Sequence, residues 1–482
     1  MTRSPVIRNP TTQIFQDDQE HRYFSSFYTS TAYEITGYFI YDIFSQLVPQ
    51  SCYHQPYFSK AVVAIGALQE SIRISNRESQ QRFSLEALED TRLVQHRHYA
   101  LQRYNEALSL MRRGFVAGRY ARYLRNVLIF CILVSYFEAI HNNQETCNTQ
   151  IQIGIKILLG WLKTSRPDKR ALALAGIASP SPNLIENDIL TAYVRLYRQT
   201  MHSSPRMPQW SFPIEEAEVL GKMPEQFSSI REARTYWELL DRCKANSISS
   251  YDPNTLKPGD SQITFRPLNC PPGEVPIVVQ NHVAFMRKWC MAIAPFLQES
   301  SEEENISDFL SAATHLVKTR VSAITYTAMF SPDEIIFDNY EDEYNQIHAL
   351  SKKILHVSDS AFSGENAPGM FDEGLILSLC QAVIHCRNRA IRREILQTCR
   401  DFVPREGLLG WQNDISMSIG RWVVENEEAG LLDKVRMVPQ DARIRIYSIQ
   451  YSLRHRQGVL LYNGERAGAY DSSLAQEREI SW

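Results

Sequence analysis

Between Cys386 and Ile395 the chain reads CRNRAIRREI, which places Arg387, Arg389, Arg392 and Arg393 within seven positions. Guanidinium groups do two kinds of chemistry at such density: they bind nucleic-acid phosphates, or they form forked hydrogen bonds to carboxylates. Carboxylates are at hand downstream, since Glu406, Glu425, Glu427 and Glu428 lie near Trp411 and Trp422. Interleaved aromatics or a wider basic field, which nucleic-acid binding adds, do not accompany the arginines. The pattern therefore predicts arginines that pair with those carboxylates, stack near the tryptophans and tie adjacent helices together. On a helix at about 100° per residue, Arg389, Arg392, Arg393 and Arg400 share one side. Ile384, Ile391, Ile395 and Cys399 form an offset apolar stripe that should face a core.

Other constellations are weaker. His96 and His98 are two apart, so on a helix they diverge and cannot share a metal; they read as solvated helix-face residues. His385 and Cys386 are adjacent and fail for the same reason. Asp17-Asp18 and Asn187, Asp188 and Thr191 are partial matches to the two diphosphate-binding motifs of magnesium-dependent terpene cyclases, but Arg195 stands where the second motif needs a carboxylate. Plainer readings are a polar N-terminal segment and a helix cap. Asp338, Glu341 and Asp342 read as a solvated acidic helix face. The sequence holds no CxxC pair for structural zinc, no GxSxG elbow and no glycine-rich phosphate loop. No cofactor or metal is expected, and no catalytic residue can be named.

Composition narrows the class. With 482 residues, 44% hydrophobic and 22% charged, the chain can bury a sizeable core. Lys plus Arg is 51 and Asp plus Glu is 54, a net charge of −3, so nothing global pulls it toward nucleic acid or an anionic membrane. Nine scattered cysteines read as buried free thiols. The polar start carries no secretory signal, and the most apolar stretch, residues 126–137, has the length of a buried core helix. The expectation is an intracellular protein, nuclear or cytoplasmic, without a membrane partner.

The elements that must hold the arginines are helical almost throughout. Helical periodicity marks residues 61–72, 94–114, 124–143, 144–164, 187–203, 282–300 and 308–330, with three or four more helices in 371–465. Asn142-Asn143 should end one of them, and Asn187 or Asp188 should cap another. Residues 205–213 read as extended. ARIRIYSIQYSLRH, 442–455, is the one stretch with real strand alternation. The fold class is all-α, an irregular stack of antiparallel helical hairpins. The expected organisation is a disordered tail at 1–14, a helical domain at 15–465 with a long surface loop or linker at 249–276, and a C-terminal tail at 466–482.

Several segments, in order, resemble the regulatory middle region of fungal binuclear-zinc-cluster (six-cysteine) transcription factors, over about residues 15–465. YALQRYNEAL (99–108) is followed by LIFCILVSYFEAI (128–140), with Phe137-Glu138, and by IQIGIKILLGWL (151–162). The C-terminal pattern matches at Cys386, Arg387, Ile391, Arg392, Arg393, Glu406, Gly407, Trp411, Trp422, Glu427 and Glu428, and VPQDARIRI (438–446) follows. The resemblance implies a helical regulatory domain of a fungal pathway, with secondary metabolism as the candidate. The six-cysteine zinc cluster is missing, since no cysteine precedes Cys52, so direct sequence-specific DNA binding is not expected. The implied role is a transcription-regulator-like protein acting through protein partners or a hydrophobic small molecule. Two alternatives stay open: a cofactor-free enzyme, such as a cyclase, with an apolar pocket for a hydrophobic metabolite, and a helical interaction scaffold.

Overall fold

A computed structural model describes residues 15–32, 35, 43–80, 86–114, 120–164, 179–201, 213–251, 261–265, 275–299, 306–331, 334–361, 374–402, 410–464 and 475–482. The fold is mostly α-helical, with one small antiparallel sheet. The chain divides into two compact units, Met1–Gln150 and Ile151–Trp482.

In the first unit, α1 (Asp18–Ser26), two π-helical turns (Phe27–Thr31 and Ile43–Leu47), α2 (Val48–His54), α3 (Pro56–Gln80), α4 (Glu86–Gly114) and α5 (Tyr120–Ile140) follow one another, and α6 (Gln144–Thr164) crosses the division. Asp17 caps α1 by accepting from the Glu20 backbone N–H at 2.7 Å, so it belongs to a helix start. α3 packs along α4 as a hairpin, and α5 lies against α3. Small residues of α3 make this possible: a Cβ at Gly66 would sit 2.3 Å from the Tyr23 carbonyl oxygen, so only glycine lets α1 approach. In α5 the window Tyr123–Ile140 is long and apolar enough to cross a membrane by length and composition; 72% of it is buried within the protein. It is apolar nearly all round, as a central core helix must be. Asn142, with φ 66, ends the segment in the left-handed conformation that asparagine tolerates.

The second unit continues with α7 (Asn187–Met201), α8 (Pro213–Gly221), α9 (Ile230–Tyr251), β1 (Ser261–Thr264), α10 (Ile277–Glu299) and α11 (Ile306–Ala328). A 3-10 helix (Glu334–Tyr340), α12 (Glu341–Ala361), α13 (Ile376–His385), α14 (Arg389–Phe402), α15 (Gly410–Glu427), β2 (Ile444–Ser452), β3 (Gln457–Gly464) and β4 (Gln476–Ser481) complete it. A core of Trp237, Leu240, Met286, Trp289, Ile293 and Leu316 joins α9, α10 and α11. The sheet order is β1-β2-β3-β4, antiparallel throughout, with a register irregularity between Ile446 and Ser448. One face packs on α15 through Trp411 against Tyr451 and Trp422 against Tyr462.

Four expectations change. Residues 249–276 hold the end of α9 and strand β1, so this stretch supplies a sheet edge as well as connection. Residues 466–482 contain β4, paired with β3. Asn187 begins α7 but does not cap it: its Oδ1 accepts from the Ser179 backbone N–H at 2.7 Å, fastening the preceding loop. Residues 386–388, treated as helical in the reading of CRNRAIRREI, are extended. The tail at 1–14 and most of 205–213 lie outside the described residues.

Candidate functional site

The arginine corner is built by a break between two helices. α13 ends at His385, and Cys386 turns extended with φ −68 and ψ 122. The chain then runs beside residues 436–438. The Arg389 backbone N–H donates to the Arg436 carbonyl at 3.0 Å, and the Val438 N–H donates to the Arg387 carbonyl at 2.9 Å. Asn388 Oδ1 accepts from the backbone N–H groups of Ala390 at 3.1 Å and Ile391 at 3.3 Å, which starts α14. The break aims Arg387 inward from the turn, while α14 carries Arg389 at its start and Arg392 and Arg393 one turn later.

Glu427, at the end of α15, is the centre. Its side chain and those of Arg387 and Arg392 are each 0% exposed. Glu427 accepts from Arg387 at 2.8 Å, from Arg392 at 2.6 Å and from the Ile444 backbone N–H, where β2 begins, at 2.8 Å. Arg387 also donates to Glu334 at 2.7 Å, and Glu334 takes a further bond from Arg445 at 3.1 Å. Glu428 accepts from Arg389 at 3.2 Å and pairs with Arg393, whose side chain is 53% exposed. One polar network thus joins the 3-10 helix, the α13–α14 turn, the end of α15 and the start of β2. Burial alone would pull the Arg387 pKa down, but Glu427 and Glu334 outweigh it and leave it raised. Burial pushes the neighbouring Cys386 thiol up to about 11, with the Asn388 backbone pulling the other way, so it is protonated and unreactive at neutral pH.

The tryptophans are elsewhere. The ring beneath Arg387 is Phe337, with the guanidinium carbon 5.7 Å from its centroid, and Phe337 stacks on His385 at 4.2 Å. Trp411 and Trp422 serve the sheet instead. Ile391, Ile395 and Cys399 are buried in α14; Ile384, expected on the same stripe, belongs to α13. Arg400 and Glu425 are exposed, and Glu406 and Gly407 lie outside the described residues.

Asp338 and Glu341 are a further correction. They do not form a merely solvated face: Asp338 accepts from Arg443 at 2.9 Å, and Glu341 accepts from Asn388 at 2.9 Å and pairs with Arg436. Asp342 is exposed as expected. Glu334, and the pairing role of Arg443 and Arg445 within the quoted VPQDARIRI, escaped the sequence reading because the partners lie 53, 105 and 111 residues away; alternation in ARIRIYS was the available signal.

Elsewhere, the YALQRYNEAL and Phe137-Glu138 segments meet inside the first unit. Tyr104 stacks on Phe137 at 4.0 Å and hydrogen-bonds Glu138, which also accepts from Asn143 at 2.8 Å. His96 bonds the Tyr23 hydroxyl at 2.6 Å and is half-buried; burial lowers its pKa, with Glu70 opposing. Among the described residues, no group of three or more His, Cys, Asp or Glu could hold a metal ion. One cleft, of about 460 Å³, lies on the sheet at Gln450, Gln457, Val459 and Glu479; it is open and about evenly polar and apolar, unlike the closed apolar pocket that a cyclase needs.

Chemically, the corner is a buried set of charge-assisted hydrogen bonds centred on Glu427, which leaves Arg387 Nε, Arg392 Nε and Nη2 and Glu428 Oε1 without a hydrogen-bond partner among the described residues. Its most buried arginines face carboxylates and offer no surface to a phosphate backbone. Comparison with known proteins finds no matching family model, no matching curated protein and no matching solved structure.

Proposed function

We propose that the chain is a transcription-regulator-like helical protein that acts through protein partners or a small hydrophobic ligand, with no DNA-reading role for its arginine cluster. The observation that carries this reading is the convergence at Glu427. Arg387, Arg392, Glu427 and Glu428, which the resemblance to the fungal zinc-cluster regulators picks out, meet in one buried network. The Tyr104–Phe137–Glu138 contact, from an earlier pair of segments in that resemblance, adds to it. Residue patterns that resemble the regulatory region are therefore packing units here, and the charge that first suggested nucleic acid is spent internally.

The role belongs in the nucleus or cytoplasm of a fungal pathway, secondary metabolism being the candidate. Fusing the full chain to a heterologous DNA-binding domain tests it. Transcription of a reporter carrying the matching operator should change several-fold, and Glu427→Ala should abolish the change by unfolding the corner. An expressed, folded fusion that leaves the reporter untouched overturns the regulatory reading. A zinc-free, sequence-specific shift of duplex DNA by the purified chain overturns the partner-dependent part of it.

A further inference from the structure

Among the described residues β4 has a strand on one side only, and its other edge has a defined chemistry. β4 is the last strand in the sheet order and pairs with β3 on one side. The register sets Ser481 opposite Gln457, which brings Trp482 opposite Arg456, and the Trp482 backbone N–H donates to the Arg456 carbonyl at 3.2 Å. In an antiparallel ladder alternate residues turn both backbone groups to the same neighbour. Arg478 and Ile480, in phase with Trp482, therefore bond toward β3, whereas Glu477, Glu479 and Ser481 point N–H and C=O outward.

Side chains follow the same alternation. Ile480 is buried on the face that packs on α15, together with Tyr451 and Leu460. Glu477, Glu479 and Ser481 stand exposed on the opposite face, where the cleft continues across Val459, Gln450, Gln457 and Ser452. Arg478 is on the other face, and neither glutamate has an ion-pair partner among the described residues. The edge thus combines outward backbone groups, two uncompensated carboxylates two residues apart, and a cleft whose polar lining comes from Gln450, Gln457, Ser452 and Ser481 beside apolar Val459 and Ile480.

A second copy of β4 does not fit. Because outward residues pair only with outward residues, the two symmetric antiparallel registers that overlap most of Gln476–Ser481 set Glu477 opposite Glu479 or Glu479 opposite itself, and like charges directly opposite repel; registers that avoid this pair a shorter stretch. The charges that block self-pairing also select a partner.

We propose that the β4 edge accepts an extended segment of another protein as an added strand, with Lys or Arg at the alternate positions facing Glu477 and Glu479. The added strand supplies backbone hydrogen bonds along the edge, and its basic side chains cross the glutamates toward Gln450 and Gln457. This goes beyond the regulatory reading and stands without it.

The test uses the full chain and a labelled peptide of about ten alternating lysines and threonines, followed by fluorescence anisotropy. In the bound register each lysine faces an outward glutamate, so lysine amides bond to β4 and threonine amides point away. N-methylation of the lysine amides should weaken binding at least about tenfold, and N-methylation of the threonine amides should leave it nearly intact. A glutamate–threonine peptide should bind at least about tenfold more weakly than the lysine peptide, and Glu477→Lys with Glu479→Lys should invert that preference. No binding of the lysine peptide, equal binding of the two N-methylated forms, or an unchanged preference in a folded double variant overturns the proposal. Should the double variant fail to fold, the methylation contrast on the unaltered chain decides.

Discussion

Among the described residues of the unit Ile151–Trp482, buried arginines and carboxylates meet at the corner and again between α7, α8 and α9, and the two regions are wired differently. At the corner, Glu427 holds two arginines and a backbone N–H from three separate segments, and Arg387 carries the network on to Glu334. In the α7–α9 network, Glu238 of α9 takes Arg195 of α7 at 2.5 Å and Arg234 of its own helix at 3.1 Å. Glu216 of α8 takes Arg242 at 2.9 Å. The second network staples one helix to the next. The first fixes a place where helices, a 3-10 turn and a strand must all arrive together. A buried carboxylate is as critical as the number of donors stranded when it goes.

That contrast predicts a ranking, measurable by urea denaturation. Glu427→Ala should be the most damaging, at about 3–5 kcal/mol or outright failure to fold, because Arg392 and the Ile444 N–H lose their acceptor and Arg387 keeps only Glu334 as a carboxylate partner. Glu238→Ala should cost less, about 3 kcal/mol, since Arg234 is nearer the surface. If the two losses are equal, donor count is not what separates the networks.

Acid probes the α9 side independently. Burial lowers the His282 pKa to about 4 from an ordinary 6.5, with Lys244 of α9 adding to the effect and the Leu240 backbone and Asp241 opposing. The unfolded chain takes up this proton first. The stability contributed by neutral His282 is therefore complete above pH 6.5 and is lost as pH falls to about 4, on the order of 3 kcal/mol. His282→Gln should flatten the stability profile in that window; an unchanged slope would assign it to other groups.

The smallest effects sharpen the corner itself. Arg392→Ala should cost about 2–3 kcal/mol and Arg393→Ala under about 1, because the first is enclosed and the second is half in water. Sequence alone treats these neighbours as equals; similar losses would mean that the exposure difference carries no energy.

What the sequence revealed depends on how local the physics is. The helix at Gln144–Thr164 was readable to the residue, and the stop at Asn142-Asn143 to within a few residues of the helix end at Ile140, because periodicity and asparagine stops are local signals. The pairing of Arg387 and Arg392 with Glu427 was readable because charges cluster at both ends. The extended step at Cys386–Asn388 was not: it contains neither Pro nor Gly and is imposed by the bridge to residues 436–438. β1 and β4 are short and polar, so their strand character comes from the neighbours that pair with them. The α7–α9 network was not readable: Glu216 sits among Glu215 and Glu218 and Arg242 between Asp241 and Lys244, so nothing local marks which charge turns inward, and Arg195 stood out only as a departure from a carboxylate motif.

The bonds at Glu427 reach 17, 35 and 40 residues along the chain. Contacts that close such spans come after the local helices have formed, so they belong to the late stage of assembly. Interactions absent from the folding transition state slow unfolding without hastening folding. The corner then acts as a clasp on the lifetime of the folded state: loosening Glu427 should leave the refolding rate nearly unchanged and shorten how long each folded molecule persists, and with it the interval before a protease can enter.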